Sequence, residues 1–229
     1  MSRAWDRGSL ALLACGAVAA LLYANFLLDW DSDGLVGTDD IVSQLEAEGQ
    51  PHAMLLRTTD VVCAALVVAL LPWVRAALRP GFWRELTVWA TVAFAVGATV
   101  AAIVPTPCGP GISCPGPEWQ IQVHDKSSIF SDTALYVGVA AAWFATRHHG
   151  PMWVRRAAWW VFWVGGVVSS LLYALIDAYD ESSPAPGLAQ RLHILCISAW
   201  ILCLAVVAAR GRSSTPVRPV KEDDHAHSR

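Results

Sequence analysis

Charged residues are scarce in this 229-residue sequence. Asp, Glu, Lys and Arg make up 15% of it, whereas apolar residues make up 55% and the mean hydropathy is +0.43. An ordinary soluble domain carries about 25% charged residues, so the composition argues against a soluble core. Cysteine is sparse too, and four of the six cysteines lie in apolar runs where packing explains them. The net charge of -3 identifies no partner, and nothing in the sequence indicates nucleic acid.

Long apolar runs, by contrast, occur six times. Each is about long enough to cross roughly 30 Å of hydrocarbon as a helix that satisfies its own backbone hydrogen bonds. We therefore predict an all-α polytopic membrane protein, with a six-helix transmembrane bundle over residues 1–209. The runs are Leu10–Leu28, Thr58–Leu78, Leu86–Val104, Ile129–Ala145, Ala157–Ile176 and Leu188–Ala209. The predicted outer loops are 29–57, 105–128 and 177–187, and a disordered cytoplasmic tail is predicted at 210–229.

The Lys and Arg residues are distributed very unevenly about these runs. With an even number of spans, 13 of the 16 fall on one side, and only Arg57, Lys126 and Arg191 fall on the other. Cytoplasmic loops carry the excess of Lys and Arg in membrane proteins. The pattern predicts that both termini are cytoplasmic and that the protein is a multipass plasma-membrane protein.

The N-terminus allows two interpretations. Arg3 and Arg7 before an apolar run could open a cleaved signal peptide, and the residues before Cys15 faintly resemble a lipoprotein cleavage box. The apolar run continues to Leu28, however, which is longer than the apolar region of a signal peptide. The length therefore favours an uncleaved first span.

A polar, ionisable stretch opens the fourth apolar run. His124, Ser128 and Asp132 lie on one helical face there, together with Ser131. Ionisable residues inside a membrane are costly unless they pair, so we expect other helices to bring partners to this depth. The expected partners are Arg57 and Asp60 on the second span, Arg191 and His193 on the sixth, and Asp177 in a polar stripe with Ser169 and Tyr173 on the fifth. A purely structural salt bridge between Arg57 and Asp60, three residues apart, is the alternative for the second span.

The first outer loop carries the sharpest local motif. Residues 29–40 place carboxylates at loop positions 1, 3, 5 and 12 and glycine at position 6. This spacing resembles the twelve-residue calcium loops of EF-hand and dockerin modules, and it predicts a calcium site. The ligands would be Asp29, Asp31, Asp33, the backbone carbonyl of Leu35, and Asp40. The alternative is an acidic solvated loop whose Asp and Gly residues make turns.

The second outer loop contains the two cysteines that lie outside the apolar runs, Cys108 and Cys114. In an oxidising compartment these thiols could form a disulfide, and otherwise they stay free. Two cysteines alone are too few for a structural zinc site.

An ordered set of short motifs resembles the bacterial integral-membrane family called domain of unknown function 998, over about residues 10–209. The motifs are Ser43-Gln44-Leu45, Pro51-His52, Arg57-Thr58-Thr59-Asp60, Val104-Pro105 followed by Cys108 and Cys114, and His124 to Ser128. The resemblance implies a six-span fold in a bacterial plasma membrane. It implies no activity and no catalytic residues.

Three classes of function fit these features. The leading one is a non-enzymatic membrane protein whose outer polar cluster binds a small ligand or a membrane-protein partner. The second is a lipid hydrolase similar to ceramidase-like enzymes, with zinc held by His124, Asp132, His193 and Asp60, although no HxxxH pair occurs. The third is a small transporter that uses Asp60, Asp132 or Asp177 as a relay, although neither an inverted repeat nor a broken apolar helix is visible in the sequence.

Overall fold

The computed structural model of the chain describes residues 5–27, 30–31, 34–35, 41–107, 109, 116–179 and 185–214. Helices dominate this part of the chain. In order they are α1 (Arg7–Tyr23), a short 3-10 helix (Asn25–Leu27), α2 (Val42–Leu45), α3 (Ala53–Ala77), α4 (Phe82–Ile103), α5 (Glu118–Thr146), α6 (Met152–Trp160), a π-helical segment (Val161–Val168), α7 (Ser169–Tyr179) and α8 (Ala185–Ser214). Two strands of two residues each, β1 (Trp30–Asp31) and β2 (Gly34–Leu35), pair antiparallel between α1 and α2.

Within the described residues, five helices are long and apolar enough to cross a membrane, which confirms the prediction of a helical membrane protein. They are α3, α4, α5, α8 and the continuous helix that α6, the π-helical segment and α7 form together. α1 is also apolar but has only 17 residues, a length of about 26 Å at 1.5 Å per residue. It ends before the predicted boundary at Leu28, because the chain turns into the 3-10 helix after Ala24. A sixth span therefore stays a prediction.

The helices pack mainly around α3 and α8. α8 contacts α1, α3, α6, α7 and the π-helical segment, α3 also contacts α1 and α4, and α4 and α5 form the most extensive pair. Trp200, Phe94 and Leu70 are fully buried in the core between these helices. Large apolar side chains such as Trp89 and Ile103 are exposed on the outside of the bundle, where a lipid bilayer would cover them.

Glycines set the closest approaches between helices. A Cβ added at Gly16 of α1 would lie 2.1 Å from Cβ of Ala205 on α8, and one added at Gly97 of α4 would lie 2.9 Å from Cα of Ser131 on α5. Small residues allow helix backbones to approach this closely, which is how membrane helices gain packing energy without a hydrophobic driving force.

Several further helix boundaries differ from the predicted ones, and three of them change the assignment of polar segments. α5 begins at Glu118, so residues 118–128, predicted as loop, are helical; α3 begins at Ala53 rather than at residue 58. The polar turns of α5 stabilise themselves, since Gln122 Nε2 donates to Glu118 Oε1 (2.8 Å) and Lys126 Nζ donates to Gln122 Oε1 (3.2 Å). α8 continues to Ser214, so the first residues of the predicted tail are helical, and residues 215–229 lie outside the described part.

The fifth long helix is interrupted in its middle. Residues Val161–Val168 form a π-helix, whereas the sequence predicts an unbroken apolar helix here. Gly165 lets this segment approach α8 closely, because an added Cβ would lie 2.4 Å from Cβ of Cys196. π-helical turns inside α-helices leave carbonyl groups free for other donors and are frequent at functional sites.

Candidate functional site

A polar cavity lies at the end of the bundle that carries α2, and it has two adjoining parts. The smaller part, about 130 Å³, extends to Tyr23, Asn25, Glu46 and Asp60. The larger part, about 470 Å³, extends between α5 and α7. Side chains from three elements line both parts: Ser43 of α2, His124, Ser128 and Asp132 of α5, and Gln190 and His193 of α8.

The carboxyl groups of Glu46 and Asp60 line the smaller part of the cavity. Asn25, which is 1% exposed, donates from Nδ2 to Glu46 Oε1 (3.1 Å), to Asp60 Oδ1 (2.9 Å) and to the carbonyl of Leu56 (3.2 Å). Its amide group has two hydrogens, so three acceptors share them. The amide of Asn25 therefore joins the carboxyl groups of Glu46 and Asp60.

Glu46 follows α2 and lies outside the long apolar helices. Its side chain is buried against the bundle, and this burial raises the pKa of the carboxyl group above its ordinary value. The hydrogen bond from Asn25 Nδ2 opposes that increase without cancelling it. The segment after α2 therefore carries a protonatable group into the cavity.

His124 lies across the cavity from this pair and is 5% exposed. Its Nδ1 is 3.1 Å from the carbonyl oxygens of both Ala101 and Val104 at the end of α4. Carbonyl oxygens only accept hydrogen bonds, so Nδ1 must carry the proton, and a neutral ring then has an unprotonated Nε2. Nε2 has no hydrogen-bond partner among the described residues, which leaves it available to a ligand.

His193 and Asp132 form a further pair of ionisable side chains, and both line the two parts of the cavity. Nε2 of His193 lies 3.1 Å from Oδ2 of Asp132, a distance that suits an ion pair, although the ring N–H is not aligned with that oxygen for a hydrogen bond. Nδ1 of His193 donates to the carbonyl of Gly165 at 2.8 Å, in the π-helical segment. The hydroxyls of Ser169 and Tyr136 are each 3.3 Å from the same nitrogen. The π-helical segment thus fixes the orientation of the His193 ring.

Residues 8–207 match the model of a family described as Protein of unknown function (DUF998). The chain belongs to this family. The match confirms the resemblance to domain of unknown function 998 that the ordered motifs indicate, and it covers every residue of the cavity. Comparisons with curated proteins and with solved structures give no match. Membership in DUF998 therefore assigns no activity to the cavity.

The structure of this DUF998 chain brings together five of the eight residues predicted as a polar cluster, namely Asp60, His124, Ser128, Asp132 and His193. Arg57 and Arg191 are absent from the cavity lining. Arg57 Nε donates to the carbonyl of Ala53 at 3.3 Å, and Asp60 bonds to Asn25, so the hypothesis of a salt bridge between Arg57 and Asp60 finds no support in their described contacts. The guanidinium of Arg191 lies over the ring of Phe26. The side chain of Asp177 lies outside the described residues.

The cofactor predictions remain predictions. Within the part of the chain that the structure describes, no group of three or more His, Cys, Asp or Glu residues is arranged to hold a metal ion, so the zinc hypothesis gains no support from the geometry. Of the expected calcium ligands, Asp29, Asp33 and Asp40 lie outside the described residues, and Asp31 and Leu35 are described only as backbone in the β1–β2 pair. Cys108 and Cys114 also lie outside the described residues.

Sequence reasoning missed Asn25, Glu46, Gln190 and Tyr136 as parts of the site. A signal existed for Asn25, because it is a lone amide at the end of an apolar run. Gln190 accepts from the backbone N–H of Val42 and so fastens α2 to α8. No sequence pattern indicates that α2 folds over the bundle in this way.

Proposed function

We propose that the protein is a multipass plasma-membrane protein whose polar cavity faces the extracytoplasmic side and binds a small organic cation without converting it. The orientation is supported by the Arg residues of the described chain, which concentrate at the opposite end of the bundle. They lie near the α3–α4 and α5–α6 connections and at the end of α8: Arg75, Arg79, Arg84, Arg147, Arg155, Arg156, Arg210 and Arg212. An excess of Lys and Arg marks the cytoplasmic side of a membrane.

The charge of the cavity lining carries the proposal for the ligand. Glu46, Asp60, Asp125 and Asp132 contribute carboxyl groups, whereas neither Arg nor Lys is among the described residues that line the cavity. His193 neutralises Asp132 at most, and neither Arg nor Lys of the described lining neutralises Asp125. At least one negative charge therefore remains, and an ammonium group would complement it.

Thermal unfolding of the protein in nanodiscs tests this proposal with n-butylammonium as the probe and butyrate as the matched anion. A ligand that binds only the folded state raises the unfolding temperature, and at ten times Kd it adds about 1.4 kcal/mol. We expect butylammonium to stabilise the wild-type protein and butyrate not to. The effect should be lost in Asp132→Asn and retained in Glu118→Gln, an exposed α5 residue outside the cavity. Equal effects of the two probes, or an unchanged effect in Asp132→Asn, would contradict the proposal.

A transporter is the second candidate, because the π-helical segment interrupts an apolar helix beside the cavity. Many transporters form their substrate site at discontinuous helices. Counterflow of labelled butylammonium in proteoliposomes distinguishes the two candidates. A binding protein would show no time-dependent accumulation above protein-free liposomes, and a transporter would.

A further inference from the structure

We infer that the natural ligand is an amphipathic amine that enters the polar cavity sideways from the extracytoplasmic leaflet, with its ammonium group near Asp132 and His124 and its hydrocarbon chain between α5 and α7. This inference rests on the proposed function and adds the class of ligand and its route of entry.

The first step is the shape of the larger cavity. Its walls are α5 on one side, with Ile129 and Asp132, and α7 on the other, with Ser170 and Tyr173. α5 packs closely against α6 and touches the π-helical segment, but it has no extensive contact with α7. The two helices therefore separate towards the end of the bundle that carries α2, and the cavity fills the space between them.

The second step is what this space opens onto. Ile129 belongs to the cavity lining, yet it is 66% exposed. The neighbouring Phe130 of α5 and Leu172 of α7 are also exposed large apolar side chains. Such side chains on long apolar helices face lipid, so the opening between α5 and α7 meets the hydrocarbon and not only water. A ligand with an apolar chain can keep that chain in the bilayer while its head enters the cavity.

The third step is the arrangement of polar groups behind the opening. Asp132, whose side chain is 41% exposed, is placed to meet an incoming head group, and Ser128 lies one turn before it on α5. His124 is more than nine-tenths buried, and its Nε2, which accepts a hydrogen bond when the ring is neutral, has no partner among the described residues. A primary ammonium group offers three donors, which suits one carboxylate, one imidazole nitrogen and one hydroxyl. A phosphate or carboxylate head would instead meet carboxylates.

Photolabelling in nanodiscs of zwitterionic lipid tests the inference. The probe is dodecylamine with a diazirine near the amino end, and the matched control is a dodecanoic acid with the diazirine at the same place. Peptide mapping should find the amine probe on α5 near Ile129 and on α7 near Tyr173. The acid probe should label lipid-facing surfaces such as the one around Trp89 but not this pair of sites.

Two variants make the labelling specific. In Asp132→Asn, label at the two sites should fall about tenfold, because the substitution removes the carboxylate that pairs with the ammonium group. Ile129→Trp changes a lipid-facing residue and leaves the polar groups in place, so it should block entry without preventing folding. Val137→Trp, another exposed position on α5, should leave the labelling unchanged.

The outcomes separate this inference from the proposed function. If butylammonium stabilises the protein through Asp132 but the dodecylamine probe labels α5 and α7 no more than other surfaces, the cavity binds cations and the lateral route is wrong. If labelling is equal for amine and acid, or unaffected by Ile129→Trp, the inference is also overturned. If neither amine has an effect that depends on Asp132, both proposals fail.

Discussion

Asn25 connects three separate parts of the chain through a single amide group. It lies in the 3-10 helix after α1, and it bonds to Glu46 after α2 and to Asp60 on α3. The amide and the carboxyl group of Glu46 are buried and that of Asp60 is half-buried, so these groups depend on one another for their hydrogen bonds. The residue therefore holds the smaller part of the cavity together.

We predict that Asn25→Ala lowers the free energy of unfolding by about 1–3 kcal/mol, because it leaves buried carboxyl oxygens without their donor. Thermal or denaturant unfolding in detergent measures this loss. Gln122→Ala is the matched control, since Gln122 is an exposed amide on α5 and its loss should change stability by no more than about 0.5 kcal/mol. Equal destabilisation by the two substitutions would refute a structural role of Asn25.

Glu46 makes stability depend on pH. Burial raises its pKa in the folded state above the ordinary value of 4.5, so between that value and the raised pKa the folded state binds more protons than the unfolded state. The resulting stabilisation is complete below the ordinary pKa and disappears as the pH rises through the raised one. Glu46→Gln, whose neutral amide can donate to Asp60, should flatten this dependence.

Unfolding temperatures measured from about pH 4 upward provide the comparison, with the range chosen to start near the ordinary carboxyl pKa. The wild type should lose stability relative to Glu46→Gln as the pH rises. Glu48→Gln, two residues further along the chain and exposed, should follow the wild type. Parallel curves for wild type and Glu46→Gln would rule out a raised pKa at this position.

About half of the site residues could be predicted from the sequence. Helical periodicity places His124, Ser128 and Asp132 on one face of α5, and the cost of ionisable residues in a membrane indicates that they need partners. Glu46 could not be predicted in this way. Its position depends on how a connecting segment folds back over the bundle, and no periodic pattern records that.

At the scale of elements, the π-helical segment does most to shape the site. It presents the carbonyl of Gly165 to His193 and so holds the imidazole next to Asp132. The sequence gives only an apolar run with two adjacent glycines at this place, and an α-helix fits that pattern equally well. The start of α5 at Glu118 was missed for a related reason, because hydropathy detects the apolar part of a helix but not its polar turns.

The contact between α1 and α8 allows a test of helix packing. Gly16→Ala would place a Cβ 2.1 Å from Cβ of Ala205, so the helices would have to separate, and we expect a loss of about 1–3 kcal/mol of stability. The double substitution Gly16→Ala with Ala205→Gly moves the methyl group to the opposite helix. It should therefore be more stable than Gly16→Ala alone.

A double-mutant cycle of unfolding free energies measures this coupling. Gly8→Ala is a useful comparison, since its added Cβ meets only the flexible end of Arg212 and should cost less. If the effects of Gly16→Ala and Ala205→Gly simply add, the two helices do not meet at this pair in the membrane.

At the scale of the whole molecule, the proposed function depends on which end of the bundle faces the cytoplasm. Five long apolar helices define a membrane protein, and the polar cavity and most Arg residues lie at opposite ends of the bundle. Composition and run length predict six spans, and five of the described helices are long enough to cross a membrane. The shorter α1 decides whether the chain crosses the membrane six times and therefore where both termini lie.

The most direct test of the central claim is the accessibility of short epitope tags in intact bacterial cells. One tag is inserted after Glu48, beside the cavity, and another after His149, between α5 and α6 at the opposite end. The account predicts that an impermeant antibody fragment added to cells with a permeable outer envelope binds the tag after Glu48, and binds the tag after His149 only when the plasma membrane is opened. Binding to the His149 tag in sealed cells, with the Glu48 tag protected, would contradict it.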